Sequence, residues 1–174
     1  PLINGIPLAF IEVKKPNNKG GIKAEYDRML MRVKNKKFRR FINLTQIMVF
    51  SNNSEYDDTE AVPLEGAFYS TISYEKLFFS HFREEDEKLL TSVPEKDEAV
   101  ENFILTDNNL SSIKYSPEYV TNSSPVSPTN RIITSLFSFE RILTFLKYAI
   151  AYVERTDENG ITHLEKHLMR YPQF

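Results

Sequence analysis

The most constraining feature of the sequence is at its start, where Leu2-Ile3-Asn4-Gly5-Ile6-Pro7 places Asn-Gly between short apolar runs. A two-residue turn joining twisted antiparallel strands needs positive φ at both central positions, and Asn and Gly tolerate it. A β-hairpin is therefore predicted here, and the next run, residues 8–13, is predicted to be a buried strand. Side chains alternate across a strand, so Glu12 and Lys14 at its end share one face while Val13 points with Ile11 into the core.

From Ile22 the spacing becomes helical, with Tyr26, Met29, Leu30 and Val33 on one face and Lys23, Asp27, Arg28 and Arg32 largely off it. The continuous apolar run Gln46-Ile47-Met48-Val49-Phe50, closed by Asn52-Asn53, predicts a second buried strand over 45–51, and 68–73 predicts a third. Between them, 53–66 is acidic, carries Pro63 and reads as a surface loop; 84–88 and 94–101 read as solvated helix faces. Pro117, Pro125 and Pro128 make 111–130 a long loop or strap. Leu136, Phe139, Leu143, Leu146, Ile150 and Val153 predict one helix over 136–155, and Asn159-Gly160 turns the chain into a strand over 161–171, with a helix as the alternative.

This order of elements implies an α/β fold on a mixed β-sheet flanked by helices. Its 174 residues suit one domain: a core over 1–80, a mainly helical addition over 81–160 with the Pro-rich loop at 111–130, and a connector over 161–174. With 41% apolar and 26% charged residues the composition is that of an ordinary globular chain, not a disordered or collagenous one. The absence of Cys excludes a disulfide framework, thiolate metal sites and cysteine nucleophiles, and fits a reducing compartment, so cytoplasm is expected. The longest apolar stretch, 136–153, is interrupted by Glu140, Arg141 and Lys147, so no membrane partner is expected. A chain that opens on Pro1 inside a strand-like run reads as a piece of something longer, truncated at its N-terminal strand.

Charge is unevenly spread. Residues 1–50 hold eleven Lys or Arg against Glu12, Glu25 and Asp27, whereas the remainder holds eleven against twenty-one acids. Arg32, Lys34, Lys36, Lys37, Arg39 and Arg40 fall within nine positions. Such a cluster suits either a phosphate-contacting surface or a solvated helix end whose cations complement the dipole.

Glu12-Val13-Lys14 carries the chemistry. A carboxylate and an ammonium on one edge of a sheet suit a hydrolytic site, the acid ligating a hard divalent cation and the ammonium orienting water or stabilising developing charge. The alternative is a strand-end ion pair. Numbering across a two-residue Asn4-Gly5 turn would place a second acid, facing Glu12, about four residues before Pro1. His163 and His167 would share a face on a helix, but the strand expected there argues against a metal site. Asp57, Asp58 and Glu60 read as solubilising loop residues, and Tyr69, Tyr74, Phe78 and Phe79 as core more than as base-stacking platforms. No Gly-x-x-x-x-Gly-Lys-Ser/Thr loop occurs, so no ATP phosphate cradle can be placed.

The run Asn4-Gly5-Ile6-Pro7-Leu8-Ala9-Phe10-Ile11-Glu12-Val13-Lys14-Lys15-Pro16 resembles the signature hairpin of the nuclease domain in the R (motor and restriction) subunit of type I restriction-modification enzymes. The likeness continues through Gln46-Ile47-Met48-Val49-Phe50-Ser51-Asn52, Phe137-Ser138-Phe139-Glu140-Arg141 and Glu165-Lys166-His167-Leu168-Met169-Arg170-Tyr171-Pro172-Gln173, the last similar to the segment leading into the motor. The resemblance implies a restriction-endonuclease-like fold with a PD-(D/E)xK site. In that site Glu12 is a Mg2+ ligand, Lys14 the catalytic lysine, and an Asp lies on a strand before Pro1, without which the chain alone would not cleave. It implies duplex DNA as substrate, modification and specificity subunits as partners, and ATP bound elsewhere in the full-length subunit. Arg28 and Arg32 stand where the family often has Gln and Tyr one helical turn apart, a spacing that still lets the helix face phosphates. The rival reading is a non-catalytic DNA-tracking or docking module. There the cations from Arg28 and Arg32 through Lys34, Lys36, Lys37, Arg39 and Arg40 contact phosphates, and Glu12-Lys14 is only an ion pair.

Overall fold

Asn4 and Gly5 both adopt positive φ, 49° and 79°, and close the predicted hairpin between β1 (Leu2–Ile3) and β2 (Ile6–Pro7), with Ile3 opposite Ile6 and Leu2 opposite Pro7. The computed structural model describes residues 2–15, 20–56, 65–73, 76–81, 86–91 and 96–170. After Leu8 the chain forms β3 (Ala9–Val13), then α1 (Gly21–Lys34), a 3-10 turn (Lys36–Phe38) and α2 (Arg39–Leu44), and returns as β4 (Ile47–Ser51). Strand β4 lies parallel to β3, with Glu12 opposite Phe50. β5 (Ala67–Ser70) pairs antiparallel with β4, and the short β8 (Ser80–His81) pairs antiparallel with β5, giving a mixed sheet in the order β3-β4-β5-β8.

Alternation sorts the side chains to two faces. Ile47, Val49, Ala67 and Tyr69 pack against Ile132 and Leu136 of α6 (Pro128–Phe137), while Met48, Phe50 and Phe68 pack against Ile22 and Met29 of α1. Strand β4 is buried on both sides, which is why its sequence reads as a continuous apolar run. Phe79 completes the α1 side, stacked on Phe50 at 4.9 Å and meeting Tyr26 edge-on at 5.3 Å. The architecture is thus α/β, a mixed sheet flanked by helices.

Several expectations need correction. β3 is half-buried, not buried, and Val13 is 52% exposed. Val13 does point to the Ile11 side, but the strand outruns the core there and the side chain lines an open pocket with Asn122 and Thr129. The run 68–73 is not one strand, because Thr71 breaks it. Its Oγ1 donates to the Gln46 carbonyl at 2.9 Å, and β6 (Ile72–Ser73) leaves to pair with β7 (Lys76–Leu77). Tyr69 and Phe79 are core, whereas Phe78 is 65% exposed.

The acidic stretches do contribute helices, α3 (Glu87–Thr91) and α4 (Glu98–Asp107), the latter capped by the Asp97 side chain accepting from the Ala99 and Val100 amides. Residues 111–130 are no loop. A 3-10 turn (Ser111–Ile113), α5 (Pro117–Asn122) and the start of α6 occupy them, with Pro117 and Pro128 in the first turn, where a missing amide proton costs nothing.

The single helix predicted over 136–155 is also wrong. Ser138, extended at ψ 145°, interrupts it, so α6 is followed by α7 (Phe139–Thr144), a π-helical turn (Phe145–Ala149) and then β9 (Ile150–Thr156). Phe139 and Leu143 of the supposed buried stripe are exposed. Residues 150–156, rich in β-branched and aromatic side chains, pair instead with β10 (Thr162–Leu168) in an antiparallel hairpin turned by Asn159-Gly160, so the strand expected after that turn is present. The Tyr69 hydroxyl donates to the Met169 carbonyl at 2.8 Å, tying this hairpin to the central sheet. No helix among the described residues is long and apolar enough to cross a membrane. Asp57, Asp58, Glu60, Pro63, Tyr74, Tyr171 and Gln173 lie outside the described residues.

Candidate active site

Alternation along β3 turns Phe10 and Glu12 toward α1. Lys14 follows the last residue of the strand, held there by its amide donating to the Ser51 carbonyl at 2.7 Å. Its ammonium donates to Glu12 Oε1 at 2.5 Å and lies 3.2 Å from Oε2 of Glu25, a residue of α1. The Glu12 side chain is 27% exposed, whereas that of Glu25 is 0%. The hydrogen bond to Glu12 raises the Lys14 pKa above its ordinary value; partial burial opposes this and Glu25 reinforces it. Lys14 is therefore an ammonium at neutral pH, suited to stabilising negative charge and not to accepting a proton.

Sequence reading missed Glu25, yet the signal was there. It sits three residues after Ile22 and four before Met29, both fully buried, so it falls on the apolar stripe of α1. A carboxylate in that position needs partners. Besides Lys14, it has the Arg28 guanidinium at 2.6 Å and that of Arg32 at 3.9 Å. Arg32 also lies over the Phe38 ring, 5.7 Å from its centroid. The two arginines expected to face phosphates thus stand beside the site, each partly exposed and each engaged with Glu25.

Lys34, Lys36, Lys37, Arg39 and Arg40 are all exposed at the corner between α1 and α2, where the Asn35 side chain accepts from the Lys37 amide and fixes the turn. Lys34, Lys36 and Arg39 line a groove of about 840 Å3 whose far wall is the C-terminal hairpin, with Tyr152 and Lys166. Lys14 and Lys15 instead reach the pocket of about 290 Å3 beside Asn53, Asn122 and Asn130.

A hard divalent cation commonly takes one or two carboxylates and completes its shell with water and substrate phosphates. Among the described residues Glu12, accessible and contacted by a single cation, fits such a ligand; Glu25, enclosed by three cations, does not. Among the described residues no group of three or more His, Cys, Asp or Glu is arranged to hold a metal. His163 and His167, on β10, both lie against Glu165, at 3.5 and 2.9 Å, with Arg155 at 3.1 Å.

Residues 2–57 match the protein family described as the type I restriction enzyme R protein N terminus. The match takes in β1 through β4 and hence Glu12, Lys14, Glu25 and the whole basic corner, as well as the likeness at residues 4–16 and 46–52; the likeness at 137–141 and 165–173 lies beyond it. No curated protein and no solved structure matches the chain.

Proposed function

We propose that this chain is part of the endonuclease domain of a type I restriction enzyme R subunit, with a restriction-endonuclease-like fold and a PD-(D/E)xK site that hydrolyses phosphodiesters of duplex DNA. The observation that carries this reading is the contact between Glu12 and Lys14 at the end of β3, on the face shared with α1 and inside the family match. Glu12 would hold Mg2+, together with an Asp on a strand before Pro1. The ion when bound supplies Lewis-acid activation of water and neutralises charge on the phosphate. Lys14, kept cationic by Glu12, orients the attacking water and stabilises charge developing on the phosphoryl oxygens. Arg28 and Arg32 beside the site, and Lys34, Lys36, Lys37, Arg39 and Arg40 at the exposed corner, hold the duplex by its phosphates. In the complete cytoplasmic enzyme, ATP drives a separate motor domain, and modification and specificity subunits supply site recognition.

The exposure of the five corner cations favours a second reading, a docking module that binds DNA without cutting it. Metal dependence separates the two, since phosphate contacts require only low salt. Supercoiled plasmid is incubated with the protein, extended upstream through the strand expected before Pro1, in Mg2+ and in EDTA. Nicking in Mg2+ alone supports the nuclease; salt-sensitive binding in both conditions with no nicking in either supports the docking module.

A further inference from the structure

We infer that Glu25 is a positioning residue for cleavage: it holds the Lys14 ammonium in place when Glu12 turns from that ammonium to a metal ion. This role presupposes the nuclease reading above. As the side chains stand, Lys14 and a divalent cation would compete for the same Glu12 carboxylate, because Oε1 of Glu12 is 2.5 Å from Nζ. A lysine with no other acceptor would, once displaced, be a compact charge on a flexible four-carbon stem with nothing to aim it. Glu25 supplies a second carboxylate: its Oε2 is ion-paired at 3.2 Å with the same nitrogen, and it is mounted on α1, one of the helices packed on the sheet. Both its oxygens are buried without a hydrogen-bond donor among the described residues as the side chains stand, and so are free to accept one.

The rest of the cluster is built to keep Glu25 where it is. Burying a carboxylate completely is costly unless its charge is compensated. Arg28, three residues along the helix, and Arg32, one turn further, provide that compensation without leaving α1. The two acids therefore divide the work: among the described residues Glu12 is accessible and carries one cation, while Glu25 is enclosed and carries three. A metal approaching Glu25 would meet all three. The arrangement also gives Arg28 and Arg32 a task on this helix besides any phosphate contact.

The test uses the full-length subunit in its complex, unsubstituted and as Glu25→Gln, Glu25→Asp and, as the inactive reference, Glu12→Ala. Nicking is followed over a range of DNA concentrations, and Mn2+ binding is measured separately by calorimetry. Loss of a group that orients a metal site typically costs roughly 10–100-fold. Glu25→Gln is expected to lower kcat by about that factor, leave KM for DNA within about twofold, and weaken Mn2+ binding severalfold because Lys14 then stays on Glu12. Glu25→Asp should recover part of both losses. A folded Glu25→Gln protein with unchanged kcat and Mn2+ affinity overturns the inference. So does a loss of activity that tracks a lowered Tm with Mn2+ affinity intact, which is what a purely structural ion pair would give. If Glu25→Gln does not fold, Glu25→Asp decides: reduced kcat at unchanged KM supports the role, and unsubstituted kcat overturns it. Failure of the nuclease reading is recognised separately, by an unsubstituted protein that does not nick in Mg2+.

Discussion

Lys166, on the C-terminal hairpin, donates from Nζ to the backbone carbonyl of Thr45 at 2.7 Å, joining β10 to the residue that caps the C-terminal end of α2. Burial lowers its pKa to about 8. The unfolded chain therefore binds this proton more tightly than the folded one, so the contribution of Lys166 to stability rises between about pH 8 and 10.5 and is lost as pH falls through about 8. An NMR titration should place the Lys166 ε-methylene midpoint near 8, well below the ordinary lysine value of about 10.4. Denaturation midpoints of Lys166→Met should lack the alkaline gain. A Lys166 midpoint at the ordinary lysine value contradicts the burial argument.

On the proposed reading the corner cations meet the duplex through charge alone. Lys36→Ala, Lys37→Ala and Arg40→Ala, made singly, should leave Tm unchanged because these side chains are exposed. Each that removes a phosphate contact should reduce the salt dependence of duplex binding by about one unit of slope, equally for every DNA sequence. Fluorescence anisotropy over a salt series in EDTA measures this. Unchanged slopes in all three place the DNA elsewhere.

Phe50 is fully buried and stacked on Phe79, so Phe50→Ala should cost about 3–5 kcal/mol in urea unfolding. Phe103, 71% exposed on α4, should cost within about 0.5 kcal/mol when replaced by Ala. Equal losses at the two positions would contradict the placement of the core between α1 and the sheet.

What the sequence made legible was local. Asn4-Gly5 dictates a turn through two residues, and the 46–50 run dictates a buried strand whatever else surrounds it. Glu12 and Lys14 were legible for the same reason, since alternation along five residues puts them on one face. The misreadings came where a local pattern is compatible with two structures. Ile150 and Val153 fit a helical stripe as well as a strand, and only β10, supplied by the chain beyond Asn159-Gly160, decides between them. Pro117 and Pro128 were counted as breakers, although at a first helical turn the same ring starts a helix. Glu25 belongs to no motif and is one of three acids among the first fifty residues, so pattern alone does not single it out. Its place between Ile22 and Met29 on the buried stripe marks it as a residue that must be paired.

The most direct measurement compares Glu12→Ala and Lys14→Ala with the unsubstituted protein, extended upstream, for nicking in Mg2+ and for DNA affinity in the same buffer. Both substitutions should reduce nicking by on the order of 10²-fold or more, with DNA Kd changed by no more than about threefold. Nicking that survives in both variants, or unsubstituted protein that binds the plasmid and never nicks it, would contradict the assignment of Glu12 and Lys14 as the catalytic pair.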